Sequence, residues 1–140
     1  MVAGLQEIGL HPLVDTQGDL INQADIVFLP GVASFGPAKR RLEQSGQADS
    51  LRQAHSEGRW IVGLCLGAQL LMEASQEAAG ESGFAFVSGQ VTRMDSALMT
   101  VPNQGWHQLH SSRQRDSFPK QVAIAAEPYA YFYHRYQIKL

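Results

Sequence analysis

Apolar and polar positions change period several times along the chain, and each change marks an element. In Val2–Leu10, Leu5, Ile8 and Val2 share one helical face and Gly9 stands where a helix would stop, which predicts a short helix. His11–Asp15 reads as a short extended stretch. Ala24–Gly31, "ADIVFLPG", is a compact β-branched run ending in Pro-Gly, the pattern of a strand buried on both faces of a parallel sheet. Gly36–Gly46 opens on Gly-Pro and closes on Gly, so a helix is expected between them. Asp49–Gly58 predicts another helix with Asp49 as its N-cap. Trp60–Leu64 reads as a second buried strand, and Leu66–Ser75 as a helix with Leu66, Leu70 and Ala74 at helical spacing. Strand, helix, strand, helix is the order of a parallel sheet with crossover helices.

The second half changes character. Residues 83–94, 100–109 and 129–140 read as short strands separated by turns, and the polar stretch His110–Gln121 as an exposed loop. No repeat, heptad array or low-complexity linker divides the chain, so residues 1–140 are expected to form one domain of class α/β. Composition narrows the class further. Hydrophobic residues make up 44% and charged residues 17%, which fits a soluble globular domain. A net charge of −2 gives no basic footprint for nucleic acid. No apolar run approaches the roughly 20 residues that span a bilayer, so no membrane partner is expected. The start of the chain lacks the basic opening and apolar core of a signal peptide, and the single cysteine forms no internal disulfide, which together place the expected setting in the cytoplasm.

That cysteine, Cys65, lies in "GLCLGAQLL" at the junction of a predicted strand and helix. A nucleophile at such a junction forms an elbow, a sharp turn that needs small neighbours, and Gly63 and Gly67 supply them. The start of the helix favours the thiolate, and the Leu66 N–H stands where it can meet a developing oxyanion. A buried structural cysteine is the competing reading. The stretch "PGVASFG", Pro30–Gly36, follows the other predicted strand. In open α/β sheets ligands bind beyond the carboxyl ends of strands, so the backbone of Gly31-Val32-Ala33 is placed to donate N–H groups to the same crevice. An ordinary strand-to-helix turn punctuated by Pro and Gly competes with that reading.

The four stretches "PGVASFG", "GLCLGAQLLME", "VPNQGWHQL" and "YAYFYHRY", in this order, resemble the class I glutamine amidotransferases. Within them they look most like the glutaminase subunits of imidazole glycerol phosphate synthases, enzymes of histidine biosynthesis. The resemblance implies a flavodoxin-like α/β sandwich with a mostly parallel sheet, whose first strand and C-terminal strands lie outside these 140 residues. It implies hydrolysis of glutamine to glutamate and ammonia, with no metal or organic cofactor for that step. It also implies a (β/α)8-barrel cyclase as heterodimeric partner, which consumes the ammonia. By position, Cys65 matches the nucleophile, and Val32, Ala33 and Leu66 match the oxyanion hole. Gly31, Gly67 and Gln69 match residues around the bound glutamine, and Tyr133, His134 and Arg135 match the segment that holds its amino-acid end. Gln104, Gly105 and Trp106 match a stretch at the cyclase interface.

The sequence departs from the family pattern in several places. The family's base is a histidine paired with glutamate in a His-Pro-Glu stretch, which these residues do not contain. Ala33 stands where the family has Gly, and Arg135 where it has Ser. His134 taken by itself reads as a packing or loop-anchoring histidine rather than a base. Trp106 reads as a partner-surface residue, and the basic run Lys39–Arg41 as a solvated helix face. A non-catalytic relative that binds glutamine or a partner is the alternative function. A small stress-type hydrolase built on the same elbow fits the "PGVASFG" and "NQGWHQL" stretches poorly.

Overall fold

A computed structural model describes residues 1–109 and 129–140. The loop expected over 110–121 lies outside the described residues. The described chain divides into two compact units, Met1–Thr92 with Ile138–Leu140, and Arg93–Gln137.

In the first unit, helix α1 (Val2–Glu7) ends as Gly9 predicts. Gly9 takes φ +82 and donates to Gln6 O, while Leu10 donates to Leu5 O, so two of the helix's orphan carbonyls are satisfied by the turn that stops it. The stretch expected to be extended, residues 11–15, leads instead into a turn built on Asp15. Its carboxylate accepts from the N–H groups of Gln17, Gly18 and Leu20 at 2.9, 2.8 and 2.7 Å, and these bonds, led by that from Gln17, hold its pKa below the ordinary value.

Strands β1 (Ile26–Gly31) and β2 (Trp60–Cys65) pair in parallel, from Ile26 opposite Trp60 to Gly31 opposite Cys65. Two helices, α2 (Phe35–Gln44) and α3 (Gln47–Ser56), form the crossover. The core of this unit gathers Val27 and Leu29 of β1 with Phe35, Leu51, Leu66 and Leu70, all buried. Full burial of each such side chain contributes about 1.5–3 kcal/mol. The expected burial on both strand faces is corrected: Val27 and Leu29 are buried, whereas Ile26 and Pro30 are exposed, and no β2 residue is fully buried. The helices cover one face, so β1 alternates where the sequence shows a continuous apolar run.

Three further expectations are corrected. Helix α3 is capped by Gly46 at φ +79, and Asp49 lies in its first turn, where its carboxylate pairs with Arg52. The helix expected over 66–75 is only α4 (Leu66–Leu70), and Ala74–Ser75 is strand β3. The stretch 83–87 is not a strand: its N–H groups run along 70–73, with Phe84 donating to Leu70 O, Phe86 and Val87 to Leu71 O, Ala85 to Met72 O and Gly83 to Glu73 O. Carbonyls that a longer helix would have used are taken by this segment, and tertiary pairing overrides local propensity. β3 pairs in parallel with β4 (Gln90–Arg93), and the C-terminal Ile138–Leu140 belongs to this unit.

Lys39 is also not solvated. It is buried, pairs with Glu43 one turn on, and stands over the Phe84 ring at 4.7 Å. Arg52 of α3 shares the same Glu43, and the two cations, Arg52 first, hold the Glu43 pKa at about 2.

The second unit is built on an antiparallel pair, β5 (Asn103–Gln108) and β6 (Tyr129–His134), with Trp106 opposite Tyr131. Strand β7 (Tyr136–Lys139) begins two residues after β6 ends. The tyrosines alternate as period two requires: Tyr129, Tyr131 and Tyr133 are exposed, and Ala130, Phe132 and His134 are half-buried. Among the described residues no helix is long and apolar enough to cross a membrane.

Candidate active site

Cys65 is the last residue of β2 and the N-cap of α4, with φ 55 and ψ −117. A side chain at that backbone geometry is strained, and such strain costs about 1–3 kcal/mol. Among the described residues only Cys65 and Ala85 combine a side chain with positive φ. The elbow is made possible by its neighbours. A Cβ on Gly63 would lie 2.5 Å from the Ala68 Cα, and one on Gly67 would lie 1.7 Å from the Leu29 carbonyl oxygen. Helix α4 therefore packs on the backbones of β1 and β2 with nothing between, which aims the strand end directly into the helix. The Cys65 side chain is exposed, so the reading as a buried structural cysteine is set aside.

The parallel register brings the second candidate stretch to the same end of the sheet. Gly31 pairs with Cys65, and a Cβ on Gly31 would meet the Leu66 Cβ at 2.9 Å. The loop of Val32, Ala33 and Ser34 thus leaves β1 beside the elbow, and all three residues are exposed. Ala33, where the resemblance expects Gly, is not in a positive-φ conformation, so its Cβ fits the backbone as it stands. The first N–H groups of α4, beginning with Leu66, have no intrahelical acceptor. Gly67 is buried, and Gln69 lies half-buried one turn after Cys65. Cys65, Gly31, Val32, Ala33, Leu66, Gly67 and Gln69 are therefore brought together within the first unit.

Tyr133, His134 and Arg135 lie in the second unit, at the end of β6. His134 is an anchor: Asn103 donates its Nδ2 to the ring Nε2 at 3.0 Å, and the ring Nδ1 donates to the Tyr136 carbonyl at 2.8 Å. This pairing fits the neutral tautomer with its proton on Nδ1. Arg135 is exposed, and its carbonyl accepts from the Met94 N–H. Gln104 and Trp106 lie on the exposed face of β5, where Trp106 meets Tyr131 edge-on at 5.7 Å and Gln104 bonds the Tyr131 hydroxyl at 3.4 Å. Gly105, between them, has φ +137. Among the described residues no group of three or more His, Cys, Asp or Glu side chains is arranged to hold a metal ion.

Two further features bear on the site. A His-x-Glu triplet, His55-Ser56-Glu57, stands in the sequence at the C-terminal end of α3, with Glu57 as the C-cap, but its members have other partners. The His55 ring stacks on Phe86 at 4.1 Å, and the Glu57 carboxylate is held by Gln53 and Arg59. The other is Glu77, whose carboxylate accepts from the Phe35 N–H at 3.1 Å across 42 residues of sequence. No local pattern signals a contact at that separation.

The candidate site of this α/β unit is thus an exposed strand-end cysteine in a strained elbow, with a backbone loop from the neighbouring parallel strand beside it. The family pattern of the CobB/CobQ-like glutamine amidotransferase domain matches residues 6–99, and the chain belongs to that family of glutamine amidotransferases. Its relatives narrow the comparison. The chain is 38% identical over 134 residues to the imidazole glycerol phosphate synthase subunit HisH of Synechocystis sp., covering 95% of this chain and 62% of that protein. It is 37% identical over 136 residues to the same subunit of Synechococcus elongatus, covering 96% of this chain and 61% of that protein. The chain thus spans about three fifths of the length of these relatives. A crystal structure of a glutamine amidotransferase superposes with a TM-score of 0.64 at 17% identity, over 76% of this chain and 56% of that one, which bears on the fold alone.

Proposed function

We propose that this chain carries the nucleophile and oxyanion side of a glutaminase that supplies ammonia to imidazole glycerol phosphate synthesis. The observation that carries the reading is the register of Gly31 opposite Cys65, which places a donor-rich loop beside an exposed, strained cysteine. The likeness to HisH subunits supports the substrate and the pathway.

In this reading the Cys65 sulfur attacks the side-chain carboxamide carbon of glutamine. The developing oxyanion is met by N–H groups of Leu66 and of the Val32-Ala33 loop, donors fixed before the reaction begins. The C–N bond breaks, and ammonia leaves with the proton given up by the thiol. Water then cleaves the thioester to glutamate and returns a proton to the sulfur. Gly31, Gly67 and Gln69 shape the pocket for the carboxamide end. Gln104, Gly105 and Trp106 form the docking face for a (β/α)8-barrel cyclase, and the protein works in the cytoplasm.

The test is covalent labelling. Cys65 is expected to react with a chloroketone analogue of glutamine faster than free cysteine does, and Cys65→Ala to abolish the label. Equal rates, or a label that survives Cys65→Ala, would leave a binding domain without turnover as the better reading.

A further inference from the structure

We infer that a cavity in the second unit, lined by Arg93 and Arg135, binds the phosphate group of a small polar anion, either free phosphate or a phosphate monoester. Arg93, Met94, Asp95, Ser96, Val101 and Arg135 line it, and its volume is about 410 Å³. All six residues lie in the unit Arg93–Gln137, and none of the residues gathered around Cys65 is among them. The pairing of cations is particular to this chain, because Arg135 stands where the family pattern has Ser.

The backbone brings the two arginines together. Arg93 is the last residue of β4, and Arg135 is the single residue between β6 and β7. The Met94 N–H donates to the Arg135 carbonyl at 3.0 Å, which sets the end of β4 against that turn. The turn carrying Arg135 is braced by its neighbour: the His134 ring is bonded to Asn103 at 3.0 Å and to the Tyr136 carbonyl at 2.8 Å. The other rim is closed by Asp95. Its Oδ1 accepts from the Ala97 N–H at 2.9 Å, and its carbonyl accepts from the Leu98 and Met99 N–H groups, both at 3.1 Å, while Met94 beside it is buried.

Charge and shape select the ligand. The lining holds two guanidinium groups and one carboxylate, which leaves it net positive. Among the described residues no ion pair joins Arg135 to a carboxylate. Arginine suits a phosphate group because its planar fork gives two parallel N–H bonds to adjacent oxygens and its charge does not titrate away. Ser96 adds a hydroxyl donor. Both arginines are exposed, so the cavity is reached from solvent, and its volume leaves room for an organic remainder beside the phosphate.

The experiment is calorimetric titration of the full chain at constant ionic strength with inorganic phosphate, glycerol 3-phosphate and chloride. Saturable binding is expected for the two phosphates and none for chloride, and the tighter of the two phosphates identifies the source of the ligand. Arg135→Ser is expected to weaken binding by on the order of tenfold or more, as for the loss of a charged hydrogen-bonding partner, and Arg135→Lys to recover part of it. Asp95→Asn keeps the oxygen that accepts from Ala97 and removes the negative charge, so it should tighten binding by roughly severalfold.

Phosphates that bind no better than chloride would overturn the inference, as would an affinity left unchanged by Arg135→Ser. An Asp95→Asn protein that binds more weakly than wild type would also overturn it, since the charge of the lining would then not set the affinity. Thermal melting checks the fold of each variant. If Arg135→Ser does not fold, Arg135→Gln and Asp95→Asn carry the test, and wild-type affinity in both would overturn the inference.

Discussion

At the scale of single residues, Cys65 combines an exposed thiol with a local backbone cost. Its φ of 55 and ψ of −117 lie where glycine is comfortable and a Cβ is not. Removing the thiol in two ways separates these effects. Cys65→Gly is expected to be more stable than Cys65→Ala by about 1 kcal/mol, since only glycine relieves the backbone strain. Urea denaturation of the two variants reads the difference, and equal midpoints would show that the elbow is unstrained. Gly67 is constrained by contact rather than conformation. A Cβ there would meet the Leu29 carbonyl oxygen at 1.7 Å, so Gly67→Ala must push α4 off the sheet. The expected loss is about 1–3 kcal/mol, together with slower labelling of Cys65.

At the scale of elements, α2 and α3 are joined by charge as well as by apolar packing. Glu43 sits between Arg52 and Lys39, which lower its pKa from 4.5 to about 2. A carboxylate depressed in this way stabilises the fold above its unfolded value, and that contribution disappears as pH falls from about 4.5 to about 2. The Glu43 side chain is 39% exposed, so solvent screening limits its share to about 1 kcal/mol or less. Glu43→Gln is therefore expected to lower stability at pH 7. The gap from wild type should close on acidification through that window and shrink at high salt. Denaturation midpoints across pH measure this, and a gap that stays constant down to pH 2 would contradict it.

At the scale of the whole molecule, the second unit presents a continuous aromatic face. Trp106 is 70% exposed and is flanked by Tyr129, Tyr131 and Tyr133, all on the outward side of the β5–β6 pair. Tryptophan and tyrosine with an apolar body and a polar tip are the side chains most enriched among binding hot spots. Trp106→Ala is expected to leave stability within about 0.5 kcal/mol of wild type, as for an exposed position. In the proposed complex with a cyclase of imidazole glycerol phosphate synthase, the same change should weaken binding by about tenfold or more. Calorimetric titration against that cyclase reads the loss, and unchanged affinity would remove this face from the proposed interface.

The sequence by itself determined the elements whose signals are local. The strand at Ile26–Gly31, the strand running into Cys65, the stop at Gly9 and the small neighbours of the elbow all follow from turn chemistry and apolar patterning. The elbow was legible because its glycines are neighbours of the cysteine in sequence. Only the tertiary structure decided where helix 66–75 breaks, because the carbonyls of Leu70 to Glu73 are claimed by residues 83–87. It alone turned Lys39 inward, since Glu43 and the Phe84 ring together offset the cost of burying its charge. It alone set Glu77 on the Phe35 N–H, a contact between residues with no shared local pattern. Propensity and periodicity act over a few residues, whereas a backbone group's final partner depends on which distant segment reaches it first in the folded chain.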